Sequence, residues 1–545
     1  MNAVDLELLQ TEYDYVVIGS GFGGSVSALR LSEKGYKVLV IEKGKWFTPN
    51  DFPTTNWQIK RWLWIPAIKT QGIMRLSFFK HISILSGVGV GGGSLVYACT
   101  LPIPKPEFFN TGSWAKLNDW ENVLKPHYDM AYKMLGAQVN PKLCAGDEVL
   151  RTVAKKINRE EDFHATKVSI FFAREGQRAG ETVPDPYFAG EGPERASCLH
   201  CGACMTGCRH NAKNSLDKNY LYLAQKRGAK ILAETFVHDV KPIGESGESG
   251  YEIHVRDSTE WTWFGRGKTQ VIKAKGVVFS GGTLGTSKLL LTLKQKTSMP
   301  ALSERVGRDI RSNNESLINV ATADKDVDYS QGIAIGSVLN TDAHSHLEPV
   351  RYGAGSGAWR VALAPMAYGS NAWVRVYKML SQWVKDPVGY FKIALVKDWA
   401  KHSQVMLFMQ HLDSKLQFKL NRWGNLQTAL DVGERPQAYI PHAEEMALMC
   451  AKEINGKAYT LFTEQLFNIA STAHILGGAV MGEDASAGVI DRQGRLFGYQ
   501  NAYVCDGSII SANPGVNPSL SITAISEYIM SQVAHKSSLD RAQSE

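Results

Sequence analysis

Residues 13–42 leave few folds open. Tyr13-Asp14-Tyr15-Val16-Val17-Ile18 is a β-branched and aromatic run of the kind that forms a buried parallel strand. It leads directly into Gly19-Ser20-Gly21-Phe22-Gly23-Gly24, which satisfies GxGxxG. Val26, Leu29 and Leu31 follow as apolar positions of a helix that Gly35 stops. Lys37–Ile41 is a second strand, ending in Glu42, eighteen residues beyond Gly24. Each part of such a unit has a task. Gly19 makes the tight turn, Gly21 lets backbone approach a pyrophosphate at the positive helix N-terminus, Gly24 permits close helix packing, and Glu42 accepts hydrogen bonds from a ribose hydroxyl. Strand, turn, helix, strand and acid in register predict an α/β dinucleotide-binding domain.

Three later segments extend that site. Leu85–Ser94 is glycine-rich, with Gly91, Gly92, Gly93 and Ser94 able to lie against a flat ring system and phosphates. Val277–Leu291 is another strand, glycine turn at Gly281, and helix, and Ala502–Ser508 is a strand closing on Asp506-Gly507. A site assembled from segments almost 500 residues apart points to an extended FAD. The cofactor domain is therefore read as discontinuous, over residues 10–150, 195–310 and 465–545. Residues 310–465, with a contribution from 150–195, are read as a substrate domain. Alternation in Gln404–Met409 and Leu416–Leu420 predicts a mixed, largely antiparallel sheet roofing the cofactor, with helices on its far side.

At 545 residues the chain is too long for one ordinary domain, and its 44% hydrophobic and 21% charged composition excludes wholesale disorder. It holds no apolar run of the roughly 18–20 residues a membrane span needs. A net charge of +7 without a long Lys/Arg block gives no sign of nucleic-acid binding. Met1–Glu7 lacks the features of a secretory signal, so the expected location is cytoplasmic, with peripheral contact at the inner membrane face left open. The polar stretch Ser537–Glu545 is expected to fray.

Cys198, Cys201, Cys204 and Cys208 fall in eleven residues as C-x2-C-x2-C-x3-C, the bacterial ferredoxin run apart from Arg209 where proline would follow. The spacing favours an iron–sulfur cluster, 4Fe-4S or 3Fe-4S, with Cys144 as a remote fourth ligand if only three serve locally. Zinc fits less well, because zinc units usually pair two CxxC motifs across some fifteen residues. A redox disulfide or free thiols complete the alternatives. A cluster would pass electrons singly to a quinone or cytochrome, making a dehydrogenase; without one, dioxygen becomes the acceptor.

Together the segments resemble the glucose–methanol–choline (GMC) family of FAD-dependent alcohol oxidoreductases, over nearly the whole chain. The resemblance rests on the N-terminal dinucleotide motif, Gly91-Gly92-Gly93-Ser94, Ser280–Gly285, and the C-terminal block Ala473–Ile525. Leu416–Leu430 and Tyr439-Ile440-Pro441-His442 look most like the cholesterol-oxidase-like branch. The family implies hydride transfer from an alcohol carbon to flavin N5, with a hydrophobic alcohol (a sterol or long-chain alcohol) as substrate in this branch. It implies that His474, in Ser471–Gly482, and Asn517, in Gly515–Thr523, face the substrate hydroxyl. A neutral imidazole, with an unperturbed pKa of about 6.5, can take the hydroxyl proton. The Asn517 amide can hold the substrate oxygen or the flavin edge. Val237 joins the cofactor set.

Relatives that tether FAD covalently do so through a histidine after the Gly-Gly-Ser loop. Leu95-Val96-Tyr97-Ala98 has none, so noncovalent FAD is expected. Cys204–Cys208 also resembles the iron–sulfur segment of certain FAD glucose dehydrogenases of the family. The branch's substrate-domain glutamate is not placed by the sequence. The rivals are an oxidase of the sterol branch without a cluster, and a noncatalytic FAD or electron-carrier subunit.

Two stretches are basic and aromatic together: Trp57–Ile65 continuing to Met74–Lys80, and residues 373–401. In the second, Trp373, Tyr377, Leu380 and Trp383 recur at helical spacing among Arg375, Lys378 and Lys385. Such helices either lie in a membrane interface or pack against the protein with a solvated charged face.

Overall fold

The computed structural model describes residues 12–259 and 268–538. Met1–Glu7 and residues 539–545 of the polar C-terminal stretch lie outside the described residues.

Strand β1 (Tyr13–Ile18) is buried along its whole length, as a strand covered on both faces must be. It stands between β2 (Val38–Ile41) and β6 (Gln270–Phe279), parallel to both, with Val17 opposite Val40 and Val278. The seven-stranded sheet runs β3 (Lys230–Leu232), β2, β1, β6, β5 (Tyr251–Asp257), β4 (Thr235–Pro242), and Ala502–Val504 pairs parallel to the C-terminal half of β6. The glycine turns after β1 and β6 and the Asp506-Gly507 turn after Ala502–Val504 therefore emerge at one edge, at the carboxyl ends of three parallel strands, where α/β sheets bind ligands. Helix α1 (Phe22–Glu33) lies close on the sheet because residue 24 is glycine: a Cβ there would sit 2.0 Å from the Gly19 carbonyl oxygen. Helix α2 (Gly282–Gln295) repeats the arrangement after β6.

A second seven-stranded sheet runs β10 (Leu363–Pro365), β12 (Lys457–Leu461), β7 (Ser316–Ala321), β11 (Ser403–Gln410), β9 (Ser345–Val350), β8 (Ser337–Asn340) and Phe163–Ala165. All its pairings are antiparallel. The two-residue period divides its side chains. Ile318, Val320, Met406 and Phe408 pack against Met446, Ala447 and Cys450 of the helix Pro441–Glu453, while Leu317, Asn319, Val405 and Leu407 face a cavity. The sheet thus roofs the cofactor edge with a helix on its far side.

Leu416–Leu420 corrects one expectation. It does not join this roof but forms a separate three-stranded sheet with Leu426–Leu430 and Ile310–Arg311. The reason is its apolar face: Leu416 and Phe418 are buried against Ile82, Ile84 and Ile310, not against the roof core. The roof is tied to the helix Ala145–Lys156 by a fully buried ion pair, Arg351 Nη2 to Asp147 Oδ1 at 2.8 Å. Asp147 also accepts from Ser337 Oγ at 2.8 Å and from the Cys144 amide at 2.9 Å.

Candidate active site

Between cofactor edge and roof lies a cavity of about 350 Å3. Its floor is Gly21, Phe22, Gly93, Gly281–Gly285, Asp506 and Gly507; Ile335, Val350, Val405 and Leu407 form much of its ceiling. The floor fits a dinucleotide. A Cβ on Gly21, Gly282 or Gly285 would meet nothing within 4 Å, so backbone is open to a ligand at two helix N-termini. Gly92, with φ +53°, places its Cα side against Gly21, where a Cβ would come within 2.7 Å of the Gly21 Cα. Ser20 ties the loops together: its hydroxyl donates to Glu42 Oε2 at 2.7 Å and accepts from the Gly91 amide at 3.1 Å. Asp506 is buried and accepts from the Ser508 amide at 2.8 Å; burial pushes its carboxyl up.

Of the expected cofactor residues, Gly21, Gly93, Gly281, Asp506, Gly507 and Asn517 line the cavity. Gly19, Gly24, Gly91, Gly92 and Ser94 shape the loops behind it, Ser94 Oγ donating to the Gly91 carbonyl at 2.7 Å. Glu42 is buried, with the Gly44 amide donating to its Oε1 at 2.9 Å. Val237 sits in the core beneath, opposite Val255. Tyr97 and Ala98, in the stretch where a tethering histidine would stand, line the cavity wall.

His474 and Asn517 come together at the junction of floor and roof, with two glutamates that sequence reasoning did not find. Glu315, directly before β7, is buried and faces three donors: Thr472 Oγ1, the Ala473 amide at 3.0 Å, and His474 Nδ1 at 3.0 Å. A carboxylate only accepts, so Nδ1 carries the hydrogen and Nε2 presents a lone pair. Asn517 Nδ2 lies 3.5 Å from that Nε2. On its other side, Glu348 Oε1 and Oε2 of β9 are 3.1 and 3.3 Å from the second amide atom. Burial, reinforced by the charge of Glu315, pushes Glu348 up to about 8. At neutral pH Glu348 is thus protonated and donates to the Asn517 oxygen, which turns Nδ2 toward His474 Nε2 at the outer limit of a hydrogen bond. Glu315, His474, Asn517 and Glu348 form a line in which the His474 Nε2 lone pair and an Asn517 N–H, 3.5 Å apart, stand side by side at the apolar cavity.

Behind the wall stand the cysteines. Cys198, Cys201, Cys204 and Cys208 line one small cavity of about 20 Å3, and Gly332 at its edge lies beside Cys144. Cys204 is hydrogen-bonded to Cys99, a residue that sequence reasoning did not single out and that has φ +73°. That bond, with the Lys213 ammonium beside it, pulls the Cys204 thiol down to about 6. Lys213 itself donates to the carbonyls of Leu95, Tyr97 and Cys204 at 3.1, 2.9 and 2.9 Å. Among the described residues, no three or more His, Cys, Asp or Glu are set to hold a metal ion. The spacing that predicts a cluster gathers the four cysteines around one cavity without arranging them as ligands.

Residues 13–294 match the N-terminal family model of the GMC oxidoreductases, and 425–526 match the C-terminal one. The chain belongs to the GMC oxidoreductase family. It is similar to a cholesterol oxidase of Acinetobacter baumannii, 42% identical over 97% of this chain and 96% of that protein. A cholesterol oxidase of Mycobacterium tuberculosis (strain ATCC 25618 / H37Rv) is 40% identical over 98% and 93%. A long-chain-alcohol oxidase of Arabidopsis thaliana is 26% identical over 95% of this chain and 67% of its own length. Among solved structures, pyridoxine 4-oxidase from Mesorbium loti shares the fold with a TM-score of 0.58 at 14% identity, covering 95% of this chain and 98% of its own. This GMC protein is an oxidoreductase, and FAD is the cofactor its family implies.

Proposed function

We propose that the protein oxidises the hydroxyl of an apolar alcohol, a sterol or a long-chain alcohol, to a carbonyl, with FAD bound noncovalently. The observation that carries this reading is a proton acceptor, His474 Nε2, and a donor, Asn517 Nδ2, 3.5 Å apart beside an apolar roof. Bound FAD supplies the acceptor for the hydride. His474 Nε2 takes the hydroxyl proton, and Glu315 keeps the ring in the tautomer that can do so. Asn517 Nδ2 donates toward the same region and orients the substrate oxygen. Leu317, Val350, Val405 and Leu407 exclude water and favour an apolar body over a sugar. The domain boundaries at about 310 and 465 go with this reading, roof strands β7–β12 falling between them and Phe163–Ala165 in the contribution from 150–195.

For the electron acceptor, the oxidase names of the relatives favour dioxygen, which takes two electrons and two protons to give hydrogen peroxide. The ferredoxin-like spacing favours a cluster and a quinone or cytochrome; the shared cavity of the four cysteines is the observation on its side. One set of measurements separates these. FAD-loaded protein is mixed anaerobically with cholesterol or a long-chain alcohol while flavin absorbance is followed, then exposed to oxygen. Bleaching by an apolar alcohol followed by one peroxide per carbonyl supports the reading. No bleaching by either alcohol overturns it in favour of a noncatalytic flavin subunit. Iron and acid-labile sulfide at several atoms per flavin, in protein purified without oxygen, would replace the oxidase with a dehydrogenase.

A further inference from the structure

Helix α3 (Ala372–Lys385) is built inside out. Its sole buried residue is Arg375, whose Nη1 donates to the Gly369 carbonyl at 3.1 Å and whose Nε donates to the Gln465 carbonyl. On the same side, Gln382 Nε2 donates to the Met366 carbonyl at 3.0 Å and Lys378 Nζ to the Tyr368 carbonyl at 2.8 Å. The polar face holds the protein, and the apolar face looks outward. Trp373, Tyr377, Leu380 and Val384, spaced by four, three and four residues, form one stripe and are 84%, 73%, 56% and 79% exposed. Helix α4 (Pro387–Ala394) continues it with Val388 and Phe391, 61% and 60% exposed. A contiguous outward stripe of this kind is what a monomeric protein in water avoids. In the first basic and aromatic stretch Trp62 turns inward against Trp359, while Trp57 and Phe78 stay exposed without sharing one helical face.

Charge says what covers the stripe. Between residues 358 and 401 there are seven Lys and Arg against two Asp. Both Asp are engaged locally: Asp386 pairs with Lys457 at 2.7 Å and Asp398 accepts from the Gly355 amide at 2.9 Å. Lys385, Lys392 and Lys397 are exposed beside the stripe. Position says what the contact is for. Helix α3 packs on β10 and on α5 (Phe462–Phe467). Leu363 of β10 and Leu461, the residue before α5, both line the catalytic cavity, and Phe467 on α5 is exposed.

We propose that α3 and α4 dock the protein on a bilayer containing anionic lipid, the aromatic stripe entering the acyl boundary and the lysines meeting headgroups, so that the cavity wall faces the membrane. The purpose assigned to it rests on the apolar-alcohol reading; the docking itself does not.

The test uses sterol-free vesicles of phosphatidylcholine with phosphatidylserine and the FAD-loaded full chain in a flotation assay. Native protein is expected to float with the vesicles and to be released by high salt. Trp373→Ser/Tyr377→Ser/Leu380→Ser should weaken binding at least about a hundredfold, since burial of each side chain contributes roughly tenfold. Lys385→Gln/Lys392→Gln/Lys397→Gln should also weaken it about a hundredfold, at roughly fivefold per cation, and abolish the salt dependence. Both variants should oxidise detergent-dispersed alcohol at the native rate. Native protein that stays with the aqueous phase overturns the proposal, as does undiminished binding by the stripe variant. Sedimentation showing a dimer that the stripe variant splits, without vesicle binding, assigns the stripe to a second copy instead. Vesicle binding without alcohol oxidation would sink the substrate reading and leave the docking standing.

Discussion

Glu315→Gln tests the tautomer argument directly. In the native site Thr472 Oγ1 and the Ala473 amide both donate to Glu315 Oε1, and His474 Nδ1 donates to Oε2. A glutamine has one oxygen, and two donors claim it at the Oε1 position. Its NH2 group then faces His474 Nδ1, which must become the lone-pair nitrogen, and Nε2 takes the hydrogen. An Nε2–H cannot accept the hydroxyl proton. Turning the amide over restores the active tautomer but leaves the Ala473 amide and the buried Thr472 hydroxyl facing NH2. Such a loss costs about 1–3 kcal/mol, or a factor of about 5–150. Losing the carboxylate that would stabilise the imidazolium adds to it. The expected loss in the rate of anaerobic flavin reduction is therefore roughly a hundredfold or more, with KM for the alcohol and the FAD spectrum near native. A variant reducing flavin within about threefold of the native rate would refute the reasoning.

His474→Ala should keep bound FAD and slow flavin reduction by at least about a hundredfold, within the range for loss of a general base; unchanged kinetics would remove His474 from the reaction. Flavin reduction should fall as pH rises through about 8, where Glu348 ionises, accepts from Asn517 Nδ2, and takes that donor from the substrate oxygen. Glu348→Gln, which cannot ionise, should react near the native rate at pH 7 and lose that alkaline fall; a fall with the native midpoint would assign it to another group. Gly92→Ala, forced into φ +53° against Gly21, should weaken FAD binding tenfold or more in an equilibrium titration while the apoprotein stays folded. Asp147→Ala should lower unfolding free energy by about 3–5 kcal/mol by stranding buried Arg351, as read by denaturant melts.

The cofactor half of the molecule is legible because its chemistry is local: turn, helix and acid within thirty residues fix β1, α1 and β2. His474 and Asn517 are reached through the family resemblance, on segments that glycine and proline make easy to recognise. Glu315 and Glu348 escape, although they complete the site. Glu315 is 159 residues from the histidine it orients, in Asn313-Asn314-Glu315-Ser316, which reads as a polar turn. Glu348 lies on a strand whose burial alone makes its proton significant, and burial is a property of the roof. Helix α3 shows another limit. Periodicity revealed its apolar stripe but not which way the stripe faces, because the decision rests on Arg375 finding carbonyls some ninety residues away. Leu416–Leu420 alternates as a roof strand would, and only the company of Ile82 and Ile84 draws it elsewhere.

The position of β6 bears on how the molecule is made. Its C-terminal half pairs on one side with β1 and on the other with Ala502–Val504, so its neighbours come from opposite ends of the chain. During synthesis β6 leaves the ribosome more than two hundred residues before its last partner exists. Throughout that interval one edge of an apolar strand lacks its partner, and the Asp506-Gly507 part of the floor is not yet built. Parallel pairings between distant segments form slowly, and open edges of this kind recruit other chains. Nascent chains therefore pass through a long stage with that edge open, and yield should depend on how quickly Ala502–Val504 follows.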